Sequence, residues 1–137
     1  MFRILLIIII GLSANCSAYG AEQFAVFSGN DGLHLNAGGS VAVYVSDDAP
    51  NGVRRAANNL RADINAVCGA DAGITKDREK ARIVISTKPD GKWESYVIRV
   101  GKSRLEITGS DKRGTIYGIY ELSRQIGVSP WYWWADV

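Results

Sequence analysis

The sequence predicts an α+β domain, a small mixed β-sheet with two amphipathic helices packed on one face in a two-layer sandwich. Three observations predict it. A β-branched run at residues 41–45 (VAVYV) leads directly into a helical apolar stripe. A second aliphatic run at residues 81–86 (ARIVIS) precedes two alternating segments with hairpin character. A capped amphipathic helix then starts at Asp111.

At 137 residues, one domain is the expectation. An apolar content of 47% and a charged content of 22% place the chain among ordinary globular proteins. The net charge of +2 comes with no basic block or stripe, so no nucleic-acid partner is predicted.

Residues 1–20 read as a cleaved secretory signal. Arg3 supplies the positive start, residues 4–10 are unbroken aliphatics, and small residues follow. The run is shorter than the roughly 20 apolar residues a bilayer span needs. Ala18 and Gly20 fit the small positions of a cleavage site after Gly20, and cleavage after Ala18 is the near alternative. Lipid attachment at Cys16 is the rival reading, but Ser13 and Asn15 stand where an aliphatic and a small residue are wanted. The expectation is a secreted or periplasmic protein, with no membrane association after cleavage. Removal of the leader leaves Cys68 without an intrachain partner, as a buried and inert thiol.

Residues 23–27 and 33–36 read as short extended segments around the turn at Asn30, Asp31 and Gly32. His34 has no Cys, Asp or Glu at ligand spacing and reads as structural. Residues 41–45 form a central strand. Asp47 and Asp48 are an expected acidic cap, with Pro50 in the first helical turn. Val53, Ala56, Ala57, Leu60, Ile64 and Val67 form the apolar stripe, Arg54, Arg55, Arg61 and Asp63 the wet face, and Gly69 the stop.

Residues 75–80 read as a polar loop and 81–86 as a strand. Residues 95–100 and 104–109 then form a hairpin around Lys102 and Ser103. That register pairs Val100 with Leu105 and Ile98 with Ile107, and sets Arg99 opposite Glu106. Asp111 caps the last helix, whose apolar face is Ile116, Ile119, Tyr120, Ser123 and Ile126. Gly114 and Gly118 each cost about 1 kcal/mol of helix stability against alanine, which predicts close approach of another backbone. Gly127 ends the helix.

Chemistry-bearing motifs are sparse. No zinc-protease, paired-cysteine, nucleophile-elbow or phosphate-loop pattern occurs, and no metal or cofactor is predicted. Asp47, Asp48, Asp63, Glu94, Glu106 and Glu121 fall on caps, wet faces or loops, which predicts no acid–base pair. The exception is the aromatic end. Trp131, Tyr132, Trp133 and Trp134 form either a platform for a sugar ring, with Asp136 accepting hydroxyl hydrogen bonds, or a packing surface for a following domain.

Residues 111–123 (DKRGTIYGIYELS) and 125–137 (QIGVSPWYWWADV) closely resemble glycoside hydrolase family 115. Those enzymes are xylan α-glucuronidases, which remove (4-O-methyl-)glucuronic acid from xylan. A looser form, the RG-x-x-YG helix, recurs in N-terminal domains of β-hexosaminidases, where a small α/β domain precedes a catalytic barrel. The resemblance implies an inverting hydrolase, with two carboxyl groups about 6.5–9.5 Å apart on that barrel.

Residues 21–128 are then the N-terminal domain, and residues 129–137 start a linker to a missing barrel. No catalytic residue is carried over. Trp133, Trp134 and Asp136 match the motif as site-rim, substrate-binding positions. The implied partners are the barrel of the full-length enzyme and glucuronoxylan. The chain is expected to be truncated and inactive alone. The alternatives are a free-standing polysaccharide-binding module built on the aromatic cluster, and a structural periplasmic protein.

Overall fold

The computed structural model describes residues 32–35 and 38–129, and the backbone of Leu6–Ile7 and Ala25–Val26. Those two dipeptides, β1 (Leu6–Ile7) and β2 (Ala25–Val26), join β3 (Leu33–His34) in a three-stranded antiparallel sheet of order β2-β1-β3. β1 falls inside the predicted leader. The rest of that leader, with Cys16 and both cleavage positions, lies outside the described residues. Leu33 and Leu35 are buried in the main core.

The main sheet has five strands in the order β5-β4-β6-β8-β7. They are β4 (Ser40–Val45), β5 (Asp71–Thr75), β6 (Ile83–Thr87), β7 (Tyr96–Val100) and β8 (Leu105–Gly109). β4 pairs parallel with β5 and β6, β6 pairs parallel with β8, and β7 pairs antiparallel with β8. This is the predicted mixed sheet. The predicted hairpin register also holds, with Val100 opposite Leu105, Ile98 opposite Ile107 and Arg99 opposite Glu106.

Two helices, α1 (Asn51–Cys68) and α2 (Lys112–Gln125), pack on the sheet and against each other. Val41, Val43, Ile83, Ile85, Leu105 and Ile107 face them from alternate strand positions and are all but fully buried. β4, expected to be central, is an interior strand beside the edge: α1 carries the chain to β5 on one side, the return loop brings β6 to the other, and β6 holds the middle of the sheet.

Three expectations need correction, and one strand lies in a stretch that the sequence left unassigned. Residues 71–75 form a strand, although only Ala72 and Ile74 are larger than glycine and apolar. β5 is an edge strand held by β4, so its own pattern is weak. Asp47 and Asp48 do not cap α1. Pro50 occupies the N-cap position at φ −51°, ψ 143°, with no side-chain hydrogen bond. Asp48 instead accepts from the Ser46 hydroxyl, and Asp47 pairs with Lys76 at 3.2 Å. Asp63, expected on the wet face, is buried among the groups where α1 meets α2. Tyr120, expected on the apolar face, is 41% exposed, while Leu122 takes a core position.

Gly69 ends α1 at φ 61°, as its missing side chain allows. Cys68 is buried and unpaired, and desolvation pushes its thiol up to about 11. No helix among the described residues is long and apolar enough to cross a membrane.

Candidate functional site

The first turn of α2 is locked to the turn that leads into β7. Asp111 accepts the Gly114 N–H at 2.7 Å through one carboxylate oxygen and the Glu94 N–H at 2.9 Å through the other. These bonds, with Gly114 the stronger, hold its carboxyl below the usual range. Glu94 sits at φ 50°, the left-handed region that most side chains avoid. Its carboxylate pairs with Arg113 at 2.7 Å. Gly114 lies directly on the Ser95 backbone, and Gly118 on Ile107 and Tyr96. The predicted close approach of another backbone holds at Gly114, whereas Gly118 meets side chains, and both contacts serve packing within this domain. The RG-x-x-YG pattern is an internal clamp between α2 and β7.

A groove of about 890 Å³ runs over the outer side of that clamp. Asn59 and Asp63 line it from α1, Tyr117, Tyr120 and Arg124 from α2, and Tyr96 from β7. Tyr117 and Tyr120 are 45% and 41% exposed, and Asn59 donates to the Tyr120 hydroxyl at 3.0 Å. Ser123 also lines the groove. It is buried, and its hydroxyl has no hydrogen-bond partner.

The ionisable groups of the groove favour binding over proton transfer. Partial burial opposes ionisation of Glu121, but hydrogen bonds from Arg124 at 2.6 and 2.9 Å and Gln125 at 2.9 Å outweigh it. Its carboxyl is held below the usual range, the opposite of what a general acid needs at neutral pH. The Tyr96 hydroxyl is pushed up, first by burial and then by the Glu121 carboxylate. Among the described residues, no three His, Cys, Asp or Glu groups are placed to hold a metal.

The predicted site-rim residues Trp133, Trp134 and Asp136 lie outside the described residues, as do Trp131 and Tyr132. His34 is half-buried on β3. Arg54 and Arg55 are exposed, and Arg54 bonds back to Asn51 and the Asp47 carbonyl, as a solvated helix face does. The tyrosine groove was not predicted. Its signal was available: Tyr120, Glu121 and Arg124 follow Tyr117 by three, four and seven residues, which is one helical face.

Residues 25–127 match the family model described as glycosyl hydrolase family 20, domain 2. The chain belongs to this family. The family 20 domain is similar to the structure of a family GH115 4-O-methyl-alpha-glucuronidase, BtGH115A, with specificity for decorated arabinogalactans, at 33% identity and a TM-score of 0.63. That likeness covers 72% of this chain and 15% of the other. It is also similar to a GH138 enzyme targeting pectin rhamnogalacturonan II, at 25% identity and a TM-score of 0.57 over 64% of this chain and 13% of that one. No curated protein matches the chain. The family 20 domain thus spans about one seventh of the solved structures it resembles, and in it the RG-x-x-YG helix is α2.

Proposed function

We propose that this chain is the non-catalytic N-terminal domain of a secreted glycoside hydrolase that removes glucuronic acid from plant polysaccharides. The 33% identity to a 4-O-methyl-alpha-glucuronidase, confined to 15% of that enzyme's length, carries this reading. The groove chemistry supports it. Glu121 is committed to an ion pair with Arg124, and the α2 motif is committed to packing. The catalytic carboxylates then belong to a barrel domain that this one supports.

Glucuronoxylan is the proposed polysaccharide, on the resemblance of residues 111–137 to the xylan α-glucuronidases. The similar solved enzyme is described as specific for decorated arabinogalactans. The shared chemistry is a glucuronic acid substituent, so both polymers belong in any assay. The leader-like residues 1–20 support secretion.

Sequencing the transcript beyond the codon for Val137 tests the multidomain reading. An in-frame continuation with alternating strand and helix patterns is expected. A stop codon at that point contradicts it.

A further inference from the structure

Trp93 is the most exposed large apolar side chain among the described residues, at 88%. It stands on the turn between β6 and β7, and that turn is tied down on both sides of the indole. The Lys88 N–H donates to the Gly109 carbonyl at 2.8 Å, and the Lys92 N–H to the Asp90 carboxylate at 3.0 Å. Beyond the indole, the Glu94 N–H donates to Asp111 at 2.9 Å and the Ser95 N–H to the Ser110 hydroxyl at 3.0 Å. The ring is therefore held out in water on fixed backbone, where a partner can cover it at little cost in chain ordering. Its surroundings are charged. Lys88, Lys92 and Lys112 are exposed, and none makes an ion pair or a side-chain hydrogen bond among the described residues. Lys112 is brought to the turn by its neighbours, since Asp111 accepts the Glu94 N–H and Arg113 pairs with Glu94 at 2.7 Å. The nearby carboxylates are committed, Glu94 to Arg113, and Asp90 and Asp111 to backbone N–H groups. The lysines are not.

One large ring among free lysines suits some partners better than others. A protein interface of ordinary size buries about 800 Å² on each side around an apolar centre, and a single indole does not supply that. A sugar needs less. The C–H face of a pyranose is flat and apolar and lies on one indole, while its rim carries hydroxyls. In a uronic acid the rim also carries a carboxylate, the group an unpaired ammonium binds through a charge-assisted hydrogen bond. We propose that Trp93 is the stacking platform of a surface site for an acidic glycan, with Lys88, Lys92 and Lys112 as the cations that favour its uronic acid. The site holds the polymer and breaks no bond in it. The choice of glucuronic acid as the probe rests on the functional reading above, whereas the platform does not.

The test is affinity electrophoresis of the full chain in gels containing glucuronoxylan, or the same polymer with its carboxyl groups reduced to alcohols. Glucuronoxylan should retard the chain severalfold more than the reduced polymer. Trp93→Ala should lose the retardation with its circular dichroism unchanged. A Lys88→Gln, Lys92→Gln, Lys112→Gln variant should no longer distinguish the two polymers. A measurement on the unsubstituted chain guards against loss of folding: oxidation of Trp93 by N-bromosuccinimide, read by mass spectrometry, should slow severalfold when glucuronoxylan is added. Absence of retardation, equal retardation by both polymers, or full retardation of Trp93→Ala overturns the proposal. Retention by phosphatidylserine vesicles without retention by glycan assigns the ring to a membrane and overturns it, as does Trp93-dependent self-association without glycan binding. A stop codon after Val137 would end the functional reading and leave this result standing, and failure here leaves that reading untouched.

Discussion

Gly114 and Ser95 meet with no room for a side chain between them. A methyl carbon added at Gly114 would collide with the Ser95 carbonyl oxygen and stand 3.0 Å from the Ser95 nitrogen. Both obstacles are backbone, so neither can rotate away. The helix-weakening glycine is retained because α2 must lie on the turn before β7.

Gly114→Ala is therefore expected to destabilise the domain. Helix propensity alone would add about 1 kcal/mol of stability. Overpacking against fixed backbone costs about 1–3 kcal/mol or more and decides the sign. Urea unfolding followed by circular dichroism measures it. Gly73→Ala is the control, since nothing lies within 4 Å of its added carbon, and its effect should stay within about 0.5 kcal/mol.

Thr115 ties α2 to the end of β6. It is fully buried, shares a hydrogen bond of 2.7 Å with the Thr87 hydroxyl, and donates to the Asp111 carbonyl at 2.8 Å. Thr115→Val keeps the shape and loses these bonds, an expected cost of about 0.5–1.5 kcal/mol. A urea midpoint equal to that of the parent would show that the bonds contribute nothing.

Asp111 gives α2 an acid-sensitive start. Its carboxyl titrates below the usual value in the folded state, because the Gly114 and Glu94 N–H groups bond the ionised form. Its contribution is thus present above the ordinary aspartate pKa, and is lost as pH falls through the depressed folded value. Asp111→Asn keeps a capping oxygen and loses the charge. The stability gap between parent and variant should be open at neutral pH and close at acid pH. Thermal melts across that range would refute the assignment if the gap were constant.

Cys68 should be silent in the folded protein. Burial raises its thiol from an ordinary 9.0 to about 11, so the folded state resists forming the thiolate. Stability from this group is fully present below 9.0 and falls as pH rises towards 11. In a Cys16→Ser background, Cys68 should react with a thiol reagent at mildly alkaline pH only after urea unfolding. Rapid reaction in the native protein would contradict its burial.

Local patterns made much of this fold legible. The alternation in β7 and β8 set the hairpin register, and Asp111 three residues before Gly114 marked the cap. What stayed hidden depends on non-local neighbours. Asp71–Thr75 becomes a strand because β4 offers a parallel edge at a distance in sequence. Asp63 is buried because α2 lies over it, which no property of α1 foretells. Tyr120 sits at the rim of the apolar stripe, where its hydroxyl reaches Asn59 rather than the core. The groove needed Tyr96, brought to α2 by the sheet, before its tyrosines formed one surface.

The central proposal is that this domain is the non-catalytic part of a larger glycoside hydrolase. Chromatographic detection of glucuronic acid released from glucuronoxylan and from decorated arabinogalactan by the purified chain tests it most directly. Release no greater than from a heat-inactivated sample is predicted. Sustained, heat-sensitive release from either polymer would contradict it.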